Sequence, residues 1–418
     1  MSFPSYPDYK ESGVEWLRNL PKHWDTQRLK FLCDIQTGGR DTEHALSDGK
    51  YPFFVRSQEV EHIDSYTFDC EAILTAGDGA GVGKVFHHFV GAFDFHQRVY
   101  MLNHFRGVLG RFLFHYLREE FHRVALDGGA KSTVDSLRRP MFTNFPVVLP
   151  PVPEQSAIAN FLDRETAKID ALVTEQERLI DLLEEKRQAV IAHAVTKGLT
   201  SGAPTKDSGI EWLGQIPAHW SMERGRHLFG PREVAPQAGD GVVTAFRDGQ
   251  VILRELRRTD GFTMAVLEVG YQRVLAGDLV INGMDAFAGA IGVSESTGKC
   301  TPEYSVLVPA RAGLDNHYFA AVLRLMALRN YVLVICPSVR ERAPRFRYEA
   351  FKDVVLPVPP PDEQVAIMAH IDRMKSEFAP LLLDSRNAIV LLQEHRSALI
   401  SAAVTGQIDV RAAASAAA

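Results

Sequence analysis

The chain repeats itself, and that limits its fold more than any local motif does. Residues 10–24 read KESGVEWLRNLPKHW and residues 206–220 read KDSGIEWLGQIPAHW, nine of fifteen positions identical at an offset of 196. A second match sets LPPVPEQSAIANFLD (149–163) against PPPDEQVAIMAHID (359–372) at an offset of 209. The same offset carries EEKRQAVIAHAVTKG (184–198) onto QEHRSALISAAVTGQ (393–407), aligning Arg187 with Arg396, Ile191 with Ile400 and Thr196 with Thr405. Self-similarity at this scale marks a duplication. The order is globular, helical, globular, helical, with expected boundaries at 1–150, 151–200, 201–357 and 358–410, then a disordered alanine-rich tail at 411–418. Lead-in and exit segments repeat while the interiors between them diverge, as expected of two equivalent frames carrying two different readers.

The helical segments are the most legible. Pro150, Pro151 and Pro153 predict a helix start at Glu154-Gln155. From there Ile158, Leu162, Ile169, Leu172, Leu179, Leu183 and Val190 recur on steps of four and three, with Glu165, Gln176 and Lys186 completing the stripe. Adding 209 gives Ile367, Ile371, Met374, Phe378, Leu381, Ser385, Ala388, Leu392, His395 and Leu399. A sustained 3.5 period predicts a coiled-coil seam. Helices of about 40 residues would each run about 60 Å. Two matching seams pair most simply with each other, antiparallel, with the globular parts at opposite ends. That is a ruler. Pro380 predicts a bend or break near 376–380.

Composition removes several classes. The chain is 46% hydrophobic and 23% charged, and holds no run of 18 apolar residues, so neither disorder nor a membrane span is expected. Its start, MSFPSYPDYKESG, lacks the basic-then-apolar order of a secretory signal, so a cytoplasmic location is expected. Cys33, Cys70, Cys300 and Cys336 are too scattered for a zinc site or a disulfide framework. A net charge of −6 excludes a generic polycation, so any DNA contact must come from local patches.

Enzyme signals fail. GDGAGVGKV (77–85) has Asp78 where a phosphate loop needs glycine and Val85 where it needs Ser or Thr, so a glycine-rich hairpin is expected, with a looser counterpart around Asp285. Nine histidines in the first 150 residues include no HExxH. No catalytic, cofactor-binding or metal residues are expected.

Basic clusters are the better lead, since arginine clamps phosphate and reads guanine bidentately. SVRERAPRFRYEAF (338–351) carries Arg340, Arg342, Arg345 and Arg347, with the last two sharing one face at strand period. Lys131, Arg138 and Arg139 hold the corresponding place in the first half, and Arg254, Arg257 and Arg258 form a third cluster. Lys84 is a weaker candidate at the hairpin tip.

SGVEWLRNLPKHW and SGIEWLGQIPAHW, the two proline-rich exits, the helix end AVTKGL and the terminal AVTGQIDVR together resemble the specificity (S) subunits of type I restriction-modification systems. The resemblance spans nearly the whole chain and is silent within the variable interiors. It implies two α/β (α+β) target-recognition domains, at 1–150 and 201–357, separated by a pair of long antiparallel coiled-coil helices with an internal pseudo-two-fold repeat. Each domain would read one half of a bipartite site on double-stranded DNA. The helices would set the spacer and dock two methyltransferase (M) subunits. The partners would supply S-adenosylmethionine, ATP and Mg2+ chemistry, with restriction (R) subunits cutting the DNA. The protein would be a non-catalytic, prokaryotic, nucleoid-associated part of phage defence, with no membrane partner. A type IIB-like system and a coiled-coil protein–protein scaffold are the alternatives.

Overall fold

A computed structural model describes residues 3–125, 137–257, 269–336 and 345–412. The fold is mixed α/β with two long helices, Val152–Lys197 and Pro361–Val404. It divides into two compact units: Met1–Arg178 with Ser385–Ala418, and Leu179–Asp384. Each unit therefore holds one globular part, the start of the helix leaving it, and the closing stretch of the other helix.

In the first unit, six strands lie in the order Asp34–Thr37, Val99–Asn103, Phe68–Ala76, Phe86–Phe95, Tyr51–Phe54 and Glu61–Ile63. All pairs are antiparallel except Tyr51–Phe54 beside Phe86–Phe95. Residues 77–85 join the strands Phe68–Ala76 and Phe86–Phe95 of this antiparallel pair. The helix Gly110–Glu120 buries Phe112, Leu113, Tyr116 and Leu117, apolar positions at helical spacing. Two small ladders close the frame. Tyr9–Val14 pairs with Leu17–Pro21 within the repeated lead-in, and Asp25–Arg28 pairs with Pro146–Leu149.

The second unit repeats this plan with unrelated residues. Its sheet runs Phe229–Pro231, Tyr304–Pro309, Leu279–Asn282, Ile291–Val293, matching the first four strands of the other sheet. Thr205–Asp207 pairs with Gln215–Pro217, Ser221–Arg224 pairs with Val355–Val358, and the helix Asn316–Leu328 takes the place of Gly110–Glu120. Divergence has thus changed side chains and left strand order intact.

Each long helix is pinned at its start by a Glu-Gln pair. Glu154 accepts from the Trp24 indole at 3.2 Å, from His23 and from the Tyr6 hydroxyl. Gln155 donates to the carbonyls of Pro150 (2.9 Å) and Gly107 (3.1 Å) and accepts from the Leu109 N–H (2.7 Å). In the second unit Glu363 accepts from Trp220 at 2.8 Å and from His219 at 2.6 Å, while Gln364 holds Pro359, Gly313 and Asp315 in the same way. The helix closings also match. Ala194 and Val195 join the core of the second unit, and Ala403 and Val404 join that of the first. Gly198 and Gly406 follow at φ 71° and 72°, a left-handed turn that a side chain would strain. Cys33 and Cys300 are buried as well, and burial pushes their thiols up to about 12, leaving them unreactive.

Three helical expectations are corrected. The first helix starts at Val152, two residues early, because Pro153 sits in the first turn where its missing N–H has no partner to lose. The second runs unbroken through Pro380, which is exposed, so the Ser376 carbonyl it leaves unbonded can face water. The seam is displaced by one residue at alternate positions. Ile158, Leu162 and Ile169 are buried, but Leu172, Leu179 and Leu381 are exposed, and Thr166, Val173, Ile180 and Leu382 are the more buried positions. The stripe keeps its alternation of four and three residues, and only every second position moves to the next residue along. Ile367, Ile371, Phe378 and Leu399 are buried, with Leu183, Val190 and Leu392 half-buried.

Candidate nucleic-acid interface

The arginines gather around one repeated turn. In the first unit the central strand ends at Ala76, and Gly77 follows. The Gly77 N–H donates to the Arg98 carbonyl at 2.8 Å, and its own carbonyl accepts from the Leu137 N–H at 2.8 Å. A Cβ on Gly77 would stand 2.8 Å from that Arg98 oxygen, so three backbone segments meet here only because the residue is glycine. Leu137 thereby brings Arg138 to the turn. Asp78 accepts from Arg56 at 2.8 Å and from Arg98 at 3.1 Å.

The second unit builds the same knot. Gly283 follows the strand ending at Asn282, donates to the Glu303 carbonyl at 3.1 Å and accepts from the Phe346 N–H at 2.9 Å. A Cβ there would lie 2.6 Å from the Glu303 oxygen. Asp285 accepts from Arg247 at 2.8 Å, as Asp78 does from Arg56. Phe346 is fully buried and points away from Arg345 and Arg347, which donate to the two oxygens of Glu303 at 3.3 and 2.6 Å. The alternation of 345–347 thus puts both arginines on one face.

Beside this turn lies a cleft of about 620 Å³ lined by Thr244, Phe246, Arg247, Arg254, Asn282 and Tyr304. Arg254 donates to the Thr244 hydroxyl at 3.0 Å. Arg257 lies 4.2 Å above the Phe246 ring and donates to Asp248 at 2.9 Å. That bond holds the Asp248 carboxyl below its usual range. Burial pushes the Tyr304 phenol up to about 12, so it is neutral at physiological pH.

Arg56, Arg98, Arg247, Arg345 and Arg347 are about half exposed, and each of these five is set against a carboxylate. Exposed ion pairs of this kind are worth only about 0–1 kcal/mol, so a phosphate can displace the carboxylate. The pairs hold the arginines extended without making the surface strongly basic. Arg139 is turned to the Ile35 carbonyl at 3.3 Å, and Lys84 is exposed on the glycine-rich turn. Lys131, Arg258, Arg340 and Arg342 lie outside the described residues. Sequence reasoning missed Arg56, Arg98 and Arg247. The available signal was the Asp78–Asp285 correspondence, which asked for a partner in each half. Among the described residues no cluster of His, Cys, Asp and Glu could hold a metal, and no helix is long and apolar enough to cross a membrane.

A family profile described as the Type I restriction modification DNA specificity domain matches residues 21–180, and the resemblance to the specificity subunits of type I restriction-modification systems runs along most of the chain. Subunits of this class are non-catalytic, the catalytic activities residing in partner subunits. The chain is similar to the type I restriction enzyme EcoDI specificity subunit of Escherichia coli, 24% identical with 94% of this chain and 90% of that protein covered. It is also similar to the EcoKI specificity subunit of E. coli strain K12, 20% identical over 96% of this chain and 86% of that one. A solved chain from work on complex assembly and conformational transition of the type I R-M system shares the fold at TM-score 0.62, with 16% identity over 93% of this chain and 99% of that one.

Proposed function

We propose that the globular parts at 1–150 and 201–357 are target-recognition domains, each reading one half of a bipartite site on double-stranded DNA. The turn at Gly77 and Gly283 carries this reading, because unrelated interiors rebuild the same backbone knot and set an Arg–Asp pair beside it both times. A frame that is kept while its side chains change is what two different half-sites require. Arg56, Arg98 and Arg138 would serve one half-site. Arg247, Arg254, Arg257, Arg345 and Arg347 would serve the other, Lys84 and Arg139 remain candidates, and Lys131, Arg258, Arg340 and Arg342 remain candidates from their sequence clusters.

The helix segments at 151–200 and 358–410 pair antiparallel in this reading. Within the first unit Arg396 bonds Asp170, Leu392 and Val173 pack on the core, and Leu399, Ile400, Ala403 and Val404 share that core with Ile158 and Leu162. Two equivalent domains on such a pair give a pseudo-two-fold repeat, a fixed spacer and two docking faces for methyltransferase (M) subunits. Those partners, with restriction (R) subunits, would bring S-adenosylmethionine, ATP and Mg2+ and act against incoming DNA. The helical segments are acidic, nine carboxylates against six cations in 151–205. Tight binding should therefore need the assembled methyltransferase.

The test is co-expression with the cognate M subunit in a methylation-free host, followed by single-molecule mapping of N6-methyladenine. One split motif with a fixed gap, methylated on both strands, is the expected result. A stable complex that methylates nothing would favour a protein scaffold.

A further inference from the structure

The two units differ where their chemistry should match. In the first, Arg396 on the second long helix donates to Asp170 on the first long helix at 2.9 Å, with its side chain only 16% exposed. Adding 209 to Asp170 gives Ala379, whereas the counterpart of Arg396 is Arg187. The second unit has kept the arginine and lost the carboxylate. A second arginine stands by in each unit. Arg118 follows buried Leu117, and Arg324 follows buried Leu323, in the equivalent helices Gly110–Glu120 and Asn316–Leu328. Glu119, next to Arg118, is replaced by Leu325.

Among the described residues no carboxylate forms an ion pair with Arg187 or Arg324. Arg324 instead donates to the carbonyls of Arg247 (3.2 Å) and Gly289 (2.5 Å). Burial pulls its guanidinium below the usual range, Asp248 opposes this, and the neighbouring charge of Arg187 adds to it. Both arginines line a cavity of about 620 Å³ together with Gln188, Gln250, His317 and Lys375. Asp248 and Glu295 also reach its wall, but Asp248 is held by Arg257, and Glu295 forms no ion pair among the described residues.

We infer that this cavity is an oxyanion site that takes a small free phosphate-like anion, filling in the second unit the place that the Asp170 carboxylate fills in the first. A guanidinium offers two parallel N–H groups to two oxygens, and two like charges held together gain most from an anion between them. None of the residues lining the cavity is Phe, Tyr or Trp, so it offers no platform for a base. Inorganic phosphate or a bare phosphoryl end is the fitting ligand. The inference stands apart from the proposed reading of DNA.

The test uses the full chain, its thermal midpoint followed in phosphate, acetate and chloride at matched pH and ionic strength, with calorimetric titration of inorganic phosphate. The midpoint should climb about 3 °C per tenfold rise in phosphate above the dissociation constant. Arg187→Gln and Arg324→Gln should each abolish that climb, while Arg396→Gln in the first unit should leave it intact. Ala379→Asp should raise the midpoint in chloride and remove the response to phosphate. A climb that survives both arginine substitutions, or none in the unaltered chain, overturns the inference. So does a response to acetate without one to phosphate, which would assign the site to a partner's carboxylate side chain.

Discussion

The Trp24 indole donates its N–H to the Glu154 carboxylate at 3.2 Å, tying the lead-in of the first domain to the first turn of the helix that leaves it. Glu154 is buried and also accepts from Tyr6, whose phenol is held protonated by burial and by the same carboxylate. Glu363 makes the equivalent bonds with its side chain 39% exposed. Glu154→Ala should therefore destabilise its unit by about 2–4 kcal/mol, because buried donors lose a charged acceptor. Glu363→Ala should cost about 1 kcal/mol, water replacing the lost acceptor. Urea denaturation followed by tryptophan fluorescence would rank them, and equal midpoints would contradict the argument.

His115 sets a dependence on acid. Burial, then Arg118, Arg396, Arg111 and His88, push its imidazole down to about 3, outweighing Asp163 at 2.7 Å, which is itself paired with Arg111. The folded value lies below the ordinary 6.5, so the unfolded chain takes up the proton first. Stability from this group is full above about 6.5 and falls as pH drops toward 3. Between pH 6 and 4 the loss should be about 2–3 kcal/mol. His115→Gln should remove that increment from the pH profile of unfolding, and a profile unchanged by the substitution would refute it.

Glu303 restrains two of the arginines proposed to meet DNA. In the methyltransferase complex, Glu303→Gln should raise affinity for non-specific duplex and steepen its salt dependence by about one unit per released phosphate contact. Arg347→Ala should do the reverse. If Arg56 and Arg247 serve separate half-sites, Arg56→Ala and Arg247→Ala should each relax only one half of the methylated motif. Equal effects on both halves would count against a division of labour between the domains.

Pro380 lies exposed in an unbroken helix. Pro380→Ala restores an N–H that can donate to the Ser376 carbonyl, a local gain of up to about 3 kcal/mol. Amide exchange across 376–384 should slow by at least tenfold. Unchanged exchange would mean that other contacts already hold this turn.

The frames were legible because their chemistry is local in sequence. The Glu-Gln pair follows a proline-rich run in both halves, and the tryptophan it binds lies in the matching lead-in. The seam was legible in kind and misplaced at alternate positions. Leu172 and Val173 are adjacent and both apolar, so sequence alone does not say which faces inward. The common strand order of the interiors was hidden because register is set by alternation within short strands such as Leu279–Asn282, buried on both faces and apolar up to its last residue. Arg56 was hidden by distance. Its Asp78 lies 22 residues away, while Arg247 and Asp285 lie 38 apart, so no constant spacing flags the shared pair.

Leu399, Ile400, Ala403, Val404 and Val410 are buried in the core of the first unit. They leave the ribosome only after all of the second unit has been made. The first unit thus waits, its apolar wall open, through the synthesis of its neighbour. Any ribosome that stalls or terminates within 179–384 releases a chain whose amino-terminal half cannot close by itself, ready to be recognised by chaperones or proteases. The first domain can close only once Val410 has been made, so a copy cut short before that point is also an unfolded one.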